Sequence, residues 1–90
     1  MATITRMGVY SRLKGLIAEL KAIERRDIRA DDEFAKLGFT ALGLRALARR
    51  INEVFEDVNV ELAGDTVMAA GTLRELADKV WQSVDAANRA

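Results

Sequence analysis

Three stretches of this chain repeat apolar residues at spacings of three and four, and none alternates long enough to make a strand. That pattern confines the fold to packed helices. The cleanest stripe is Leu44, Leu47, Ala48, Ile51, Val54 and Phe55. It predicts a helix from about Ala41 to Phe55, with Thr40 as its N-cap. Tyr10, Leu13, Leu16, Ile17 and Leu20 predict an earlier helix from about Thr5 to Ala22. Gly15 lies inside it at a cost of up to ~1 kcal/mol relative to alanine, which points to another backbone passing close by. Leu73, Leu76, Ala77, Val80, Trp81 and Val84 predict a last helix. It opens with Thr72 and Glu75 at capping-box spacing and ends in a fraying "DAANRA". Trp81, on that stripe, is expected in the core. A shorter segment, "DTVMAA" after Gly64, has room for a turn or two. "VNVEL" is the nearest thing to a strand, and it is too short to build a sheet.

Between the first two helices runs "IERRDIRADDEFAKLGF", polar but studded with Ile23, Ile28, Phe34 and Leu37. Spaced apolar residues pin such a segment onto a core, so it reads as a long ordered loop. Loops of this length are uncommon in small domains and are often functional. The expected architecture is all-α: a four-helix bundle of three main helices and one short one, with a long first loop. Ninety residues make one domain, 1–90, with a core from about 5 to 86.

Composition narrows the chemistry. Cysteine and histidine are both absent, which removes disulfides, thiol nucleophiles, the usual zinc sites and the commonest general base. What remains for catalysis is carboxylates, lysine, arginine, one tyrosine and hydroxyls, and an enzyme built from these is not expected. The 14 basic and 14 acidic residues cancel, against the basic excess of a nucleic-acid binder and against a polybasic membrane anchor. No apolar run approaches the ~20 residues of a membrane span, and "MATITRMG" is no secretory signal. The expected location is cytoplasmic and the expected state a monomer. Asp31, Asp32 and Glu33 look like catalytic carboxylates only on paper. Consecutive acids in a polar loop are normally solvated or capping groups.

The stretch "KLGFTALGL", Lys36 to Leu44, gives the order of elements a meaning. With "LKGLIAELKAIERRDIRADDEF" before it, "RALARRINEVF" after it and "TLRELADKV" near the end, nearly the whole chain resembles the acyl carrier protein family. "LGF" followed by "RRINEVF" resembles the polyketide synthase carriers within it. The resemblance implies a protein that is not itself an enzyme. It would present acyl intermediates on a 4'-phosphopantetheine arm to synthase and acyl-transfer enzymes in polyketide or fatty-acid-type biosynthesis. In the family a phosphopantetheinyl transferase attaches that arm to the serine of a Leu-Gly-x-Asp-Ser-Leu pattern. Free amides and the positive dipole end of a helix favour a phosphodiester there.

Leu37, Gly38 and Leu42 match the pattern, while Thr40 stands for its aspartate and Ala41 for its serine. Alanine has no oxygen, so the chain as written cannot be loaded. Two origins stay open: a serine replaced by design to give a uniform unloaded form, or natural degeneration to a docking module of a synthase. A further departure is Gly71, where many relatives have proline. The resemblance also implies partner contacts at Thr40, Leu42, Arg45, Ala46, Arg49, Val67 and Met68. Arg45 and Arg49 make basic a surface that is commonly acidic in the family, and so favour acidic partner patches. Core burial is the competing reading for Val67 and Met68, partial burial for Leu42, and simple solvation for the two arginines.

Overall fold

The apolar stripes become helices because each buries its face against the others. The computed structural model describes residues 4–58 and 60–88. Helix α1 spans Arg6–Lys21, α2 Ala41–Val54, α3 Gly64–Ala69 and α4 Leu73–Asn88. Single 3-10 turns lie at Arg25–Asp27 and Glu56–Val58. Helix α1 packs against both α2 and α4, and α3 lies against α2. The core is wholly apolar: no polar or charged residue is buried among those described. Leu13, Ile17, Leu47, Ile51, Phe55, Leu73 and Leu76 form its centre. Each such side chain contributes about 1.5–3 kcal/mol on burial.

Helix starts follow the sequence closely. Thr5 accepts the Gly8 N–H at 3.0 Å and opens α1. Thr40 accepts the Gly43 N–H at 3.1 Å and opens α2. Thr72 accepts the Glu75 N–H at 3.2 Å, but the Glu75 carboxylate reaches back to the Gly71 N–H at 3.0 Å. That last bond needs an N–H, which a proline at 71 would lack.

Several expectations need correction. The buried face of α1 includes Val9 with Leu13, Leu16 and Ile17, whereas Leu20 is exposed. Val9, Leu13, Leu16 and Ile17 fall on the i, i+4, i+7, i+8 pattern; Leu20, at i+11, shares that face but stands in the last turn of the helix. Gly15 meets a side chain, not a backbone: the Arg25 guanidinium lies over it and donates to the Ser11 carbonyl at 2.9 Å. Helix α4 runs through Asn88 and so takes in most of "DAANRA"; Arg89 and Ala90 lie outside the described residues. The described part of "VNVEL" forms no strand, in keeping with its shortness: Val58 closes a 3-10 turn, and Asn59 lies outside the described residues. Trp81 is only half-buried, packed against the core with the Arg6 guanidinium 5.8 Å from its ring centre.

The bottom of the bundle is tied by Arg12. It donates to Asp57 through both nitrogens, at 2.9 and 3.1 Å, and to the Val54 carbonyl at 3.1 Å. The hydrogen bonds from Arg12 hold the Asp57 carboxyl below its ordinary pKa. A carboxylate lowered in the folded state stabilises above its unfolded pKa, and that contribution is lost as pH falls through the folded value. Asp57→Asn should therefore lower the urea midpoint at neutral pH. The gap to the parent should close in acid, below the ordinary carboxylate range of about 4. Urea titrations at stepped pH read this directly, and a gap independent of pH would rule it out.

Candidate functional site

The long loop delivers its last residues to α2 as a fixed platform. Phe34 and Phe39 are both buried and meet edge to face, with ring centres 5.6 Å apart at 80°. The Phe39 N–H donates to the Phe34 carbonyl and the Phe34 N–H to the Gly71 carbonyl, each at 3.0 Å. Glu33 and Thr72 form an isolated antiparallel bridge, and the Arg74 N–H donates to the Ala30 carbonyl at 2.8 Å. The segment before α2 is thus fastened to the start of α4. It is fastened to α1 as well: Lys21 Nζ donates to the Gly38 carbonyl at 2.8 Å and stands 4.6 Å from the Phe39 ring centre.

Gly38 has φ +89°, a conformation that side-chain-bearing residues rarely adopt. It is the point where the chain turns from Leu37 towards the Thr40 cap. Gly38→Ala should cost about 1–2 kcal/mol through backbone strain. A urea unfolding curve measures this, and an unchanged midpoint would show that the turn relaxes freely.

Thr40 is extended, at φ −91° and ψ 172°, and its own carbonyl accepts the Leu44 N–H at 2.9 Å. Ala41 is then the first helical residue and is exposed. The Ala41 and Leu42 amides meet no protein acceptor among the described residues, as the first amides of a helix do not. Ala41 offers only a methyl group there, so no phosphodiester can form on it. The Thr40 hydroxyl is engaged as the cap.

The expected contact residues divide. Leu42 is 78% exposed, which excludes the partial burial weighed for it. Thr40, Arg45, Ala46 and Arg49 are exposed on the same end and flank of α2. Met68 is 36% exposed on α3. Val67 is fully buried, so it serves the core and offers no surface to a partner. One turn of α3 brings Val67 round to face α2 while Met68 points away, a difference a six-residue helix leaves unmarked in sequence. The loop carboxylates are occupied as solvated partners: Asp31 pairs with Arg74, Glu33 with Lys36, and Asp32 accepts the Arg29 N–H. Two residues that shape the site gave no signal in the sequence. Lys21 lies 17 positions from the carbonyl it binds. Asn52 clasps Leu62 through both of its amide atoms, at 2.8 and 3.1 Å.

Four helices, a loop fastened to two of them, and a capped helix start held out to solvent define a carrier-type helical bundle. A model of the phosphopantetheine attachment site family matches residues 11–80, and the chain belongs to that family. Its prosthetic group, where the attachment serine is present, is 4'-phosphopantetheine. The fold is similar to the NMR structure of the HMG-ACPI domain from the CurA module of Lyngbya majuscula. The TM-score is 0.78 at 22% identity, over 96% of this chain and 84% of that one. At that identity the likeness speaks for the fold. No match was found among curated proteins. No helix among the described residues is long and apolar enough to cross a membrane.

Proposed function

We propose that this chain is a single carrier domain of polyketide type, with no catalytic activity of its own, whose attachment position is held by Ala41. The observation that carries the reading is the placement of Ala41. It is exposed, first in α2, and follows the Thr40 cap and the Gly38 turn. A serine there would stand where free amides and the helix dipole favour a phosphodiester. The polyketide assignment rests on the resemblance of Leu37–Phe39 and Arg49–Phe55 to carriers of that pathway. With serine at 41 the domain would accept 4'-phosphopantetheine from a phosphopantetheinyl transferase and present acyl thioesters to synthase and acyl-transfer enzymes, as a monomer in the cytoplasm. As written it cannot be loaded. Thr40, Leu42, Arg45, Ala46, Arg49 and Met68 form its partner face. The test is the intact mass of the Ala41→Ser chain after reaction with coenzyme A and a broad-specificity transferase.

A second reading is favoured by the methyl group at 41 together with the exposed Leu42: a non-loading docking module of a synthase. Such a module binds synthase domains equally well with alanine or serine at 41, whereas a carrier needs the loaded arm for turnover.

A further inference from the structure

The tie between α1 and the segment before α2 runs through a single side chain. Helix α1 stops where Ala22 takes the left-handed conformation, at φ 53°. Lys21 stands in its last turn, at the negative end of the helix dipole, where a cation is favoured. From there the ammonium donates to the Gly38 carbonyl at 2.8 Å and stands 4.6 Å from the centre of the Phe39 ring. Both partners hold it: the carbonyl accepts a charge-assisted bond, and the ring face attracts the cation. Among the described residues no other side chain of α1 hydrogen-bonds residues 33–40, and no backbone amide reaches the Gly38 carbonyl.

The peptide between Gly38 and Phe39 is the softest point before position 41. Gly38 has no side chain to restrict it, and, apart from its chain neighbours, only Lys21 Nζ lies within 4 Å of the place a Cβ would take there. On the far side, Phe39 is anchored by its buried ring and by its bond to the Phe34 carbonyl, and the Thr40 hydroxyl holds the Gly43 amide. The Gly38 carbonyl has Lys21. We infer that Lys21 is the positioning residue for attachment at position 41. By holding that carbonyl it keeps the chain from the Gly38 turn to the Thr40 cap in the pose that presents residue 41 to a phosphopantetheinyl transferase. It acts through the backbone and not on the reacting atoms. This rests on the carrier reading and adds to it a residue from another helix. Group transfer is sensitive to such placement, since a shift of about 1 Å in a reacting group can cost about a hundredfold in rate.

The test compares the Ala41→Ser chain with the same chain also carrying Lys21→Met or Lys21→Arg, loaded from coenzyme A by a broad-specificity transferase. Methionine keeps an apolar stem and removes the ammonium. Lys21→Met should lower kcat about tenfold with the KM for the carrier little changed, because the exposed face of α2 is untouched. Lys21→Arg restores a charged donor and should recover most of the rate. Asp57→Asn, which loosens the bottom of the bundle, should load at the Ala41→Ser rate, so that general destabilisation does not account for the loss. In the isotope-labelled parent chain, Lys21→Met should shift the amide signals of Gly38, Phe39 and Thr40 and speed exchange of the Phe39 N–H, with the α4 amides unmoved. Four results overturn the inference: an unchanged loading rate, a loss that Lys21→Arg does not restore, an equal loss in Asp57→Asn, or a raised KM for coenzyme A with unmoved amide signals, which would make Lys21 a charge that steers the donor. Equal loading with and without Lys21 sinks this inference alone, since the carrier reading needs only that the Ala41→Ser chain loads. If the Ala41→Ser chain gains no mass at all, the carrier reading falls and the role of Lys21 in attachment falls with it, even where the amide shifts show that it holds the turn.

Discussion

The Ala41→Ser chain, incubated with coenzyme A and a broad-specificity phosphopantetheinyl transferase, is expected to gain the mass of one phosphopantetheine, while the parent gains nothing. The contrast is all or none because a single oxygen is at issue. The backbone around residue 41 is already fixed in place. Thr40 caps the helix, Gly38 makes the turn, and the Phe34–Phe39 pair holds the segment on the core. The substitution itself should leave stability within about 0.5 kcal/mol, because residue 41 is exposed and serine is tolerated in a first helical turn. A folded variant that gains no mass overturns the carrier reading and leaves the docking module as the account of the chain. Equal gain in parent and variant would place the modification elsewhere and overturn the assignment of position 41.

The largest effect on stability is expected at Phe55. Its ring is fully buried, the Arg12 guanidinium lies 5.3 Å from its centre, and its carbonyl accepts the Val58 and Val60 amides at 3.1 and 3.3 Å. One residue therefore closes α2, carries the turn that follows and fills the space beside α1. Phe55→Ala should cost about 3–5 kcal/mol, from the lost transfer energy and the cavity left behind. Small domains have only about 5–15 kcal/mol in total, so the variant should be partly unfolded on warming. Thermal melts followed by circular dichroism decide the matter, and a loss under about 1 kcal/mol would show that the site collapses around the gap.

The same residues show what the sequence could and could not reveal. Helices α2 and α4 were legible because a long apolar stripe and a hydroxyl cap agree at each start. The loop was legible as ordered because Ile28 and Phe34 are apolar residues in polar surroundings, and both are buried. The end of α1, expected at about Ala22, was legible from where the stripe stops and not from a stop residue. It stops at Ala22, which takes the left-handed conformation, at φ 53° and ψ 42°, where glycine is the usual choice. A local Schellman-type turn makes that stop: the Ile23 N–H closes on the Ala18 carbonyl at 3.0 Å and the Ala22 N–H on the Glu19 carbonyl at 3.4 Å, and the chain then leaves towards the Arg25 turn. Leu20 has core spacing but stands in the last turn of α1, where spacing alone does not guarantee cover; of the two readings weighed for Val67, core burial is the one that holds. Around the candidate site, the sequence placed the Thr40 cap and the start of α2 at Ala41. Lys21 and Asn52 stayed hidden, because a side chain reaching a distant carbonyl leaves no local pattern.

The way the segment before α2 is fastened has a consequence for competition among molecules. Its position is set by Phe34, Phe39, Lys21 and Gly71, and none of these bonds involves the side chain of residue 41. A chain with alanine there differs from one with serine, on its outer face, by a single hydroxyl. On the proposed carrier reading, such a chain mixed with loadable copies would occupy their binding partners and deliver nothing. Throughput would then fall in proportion to its share of the pool, making it a dominant-negative decoy whose dose is set by expression alone.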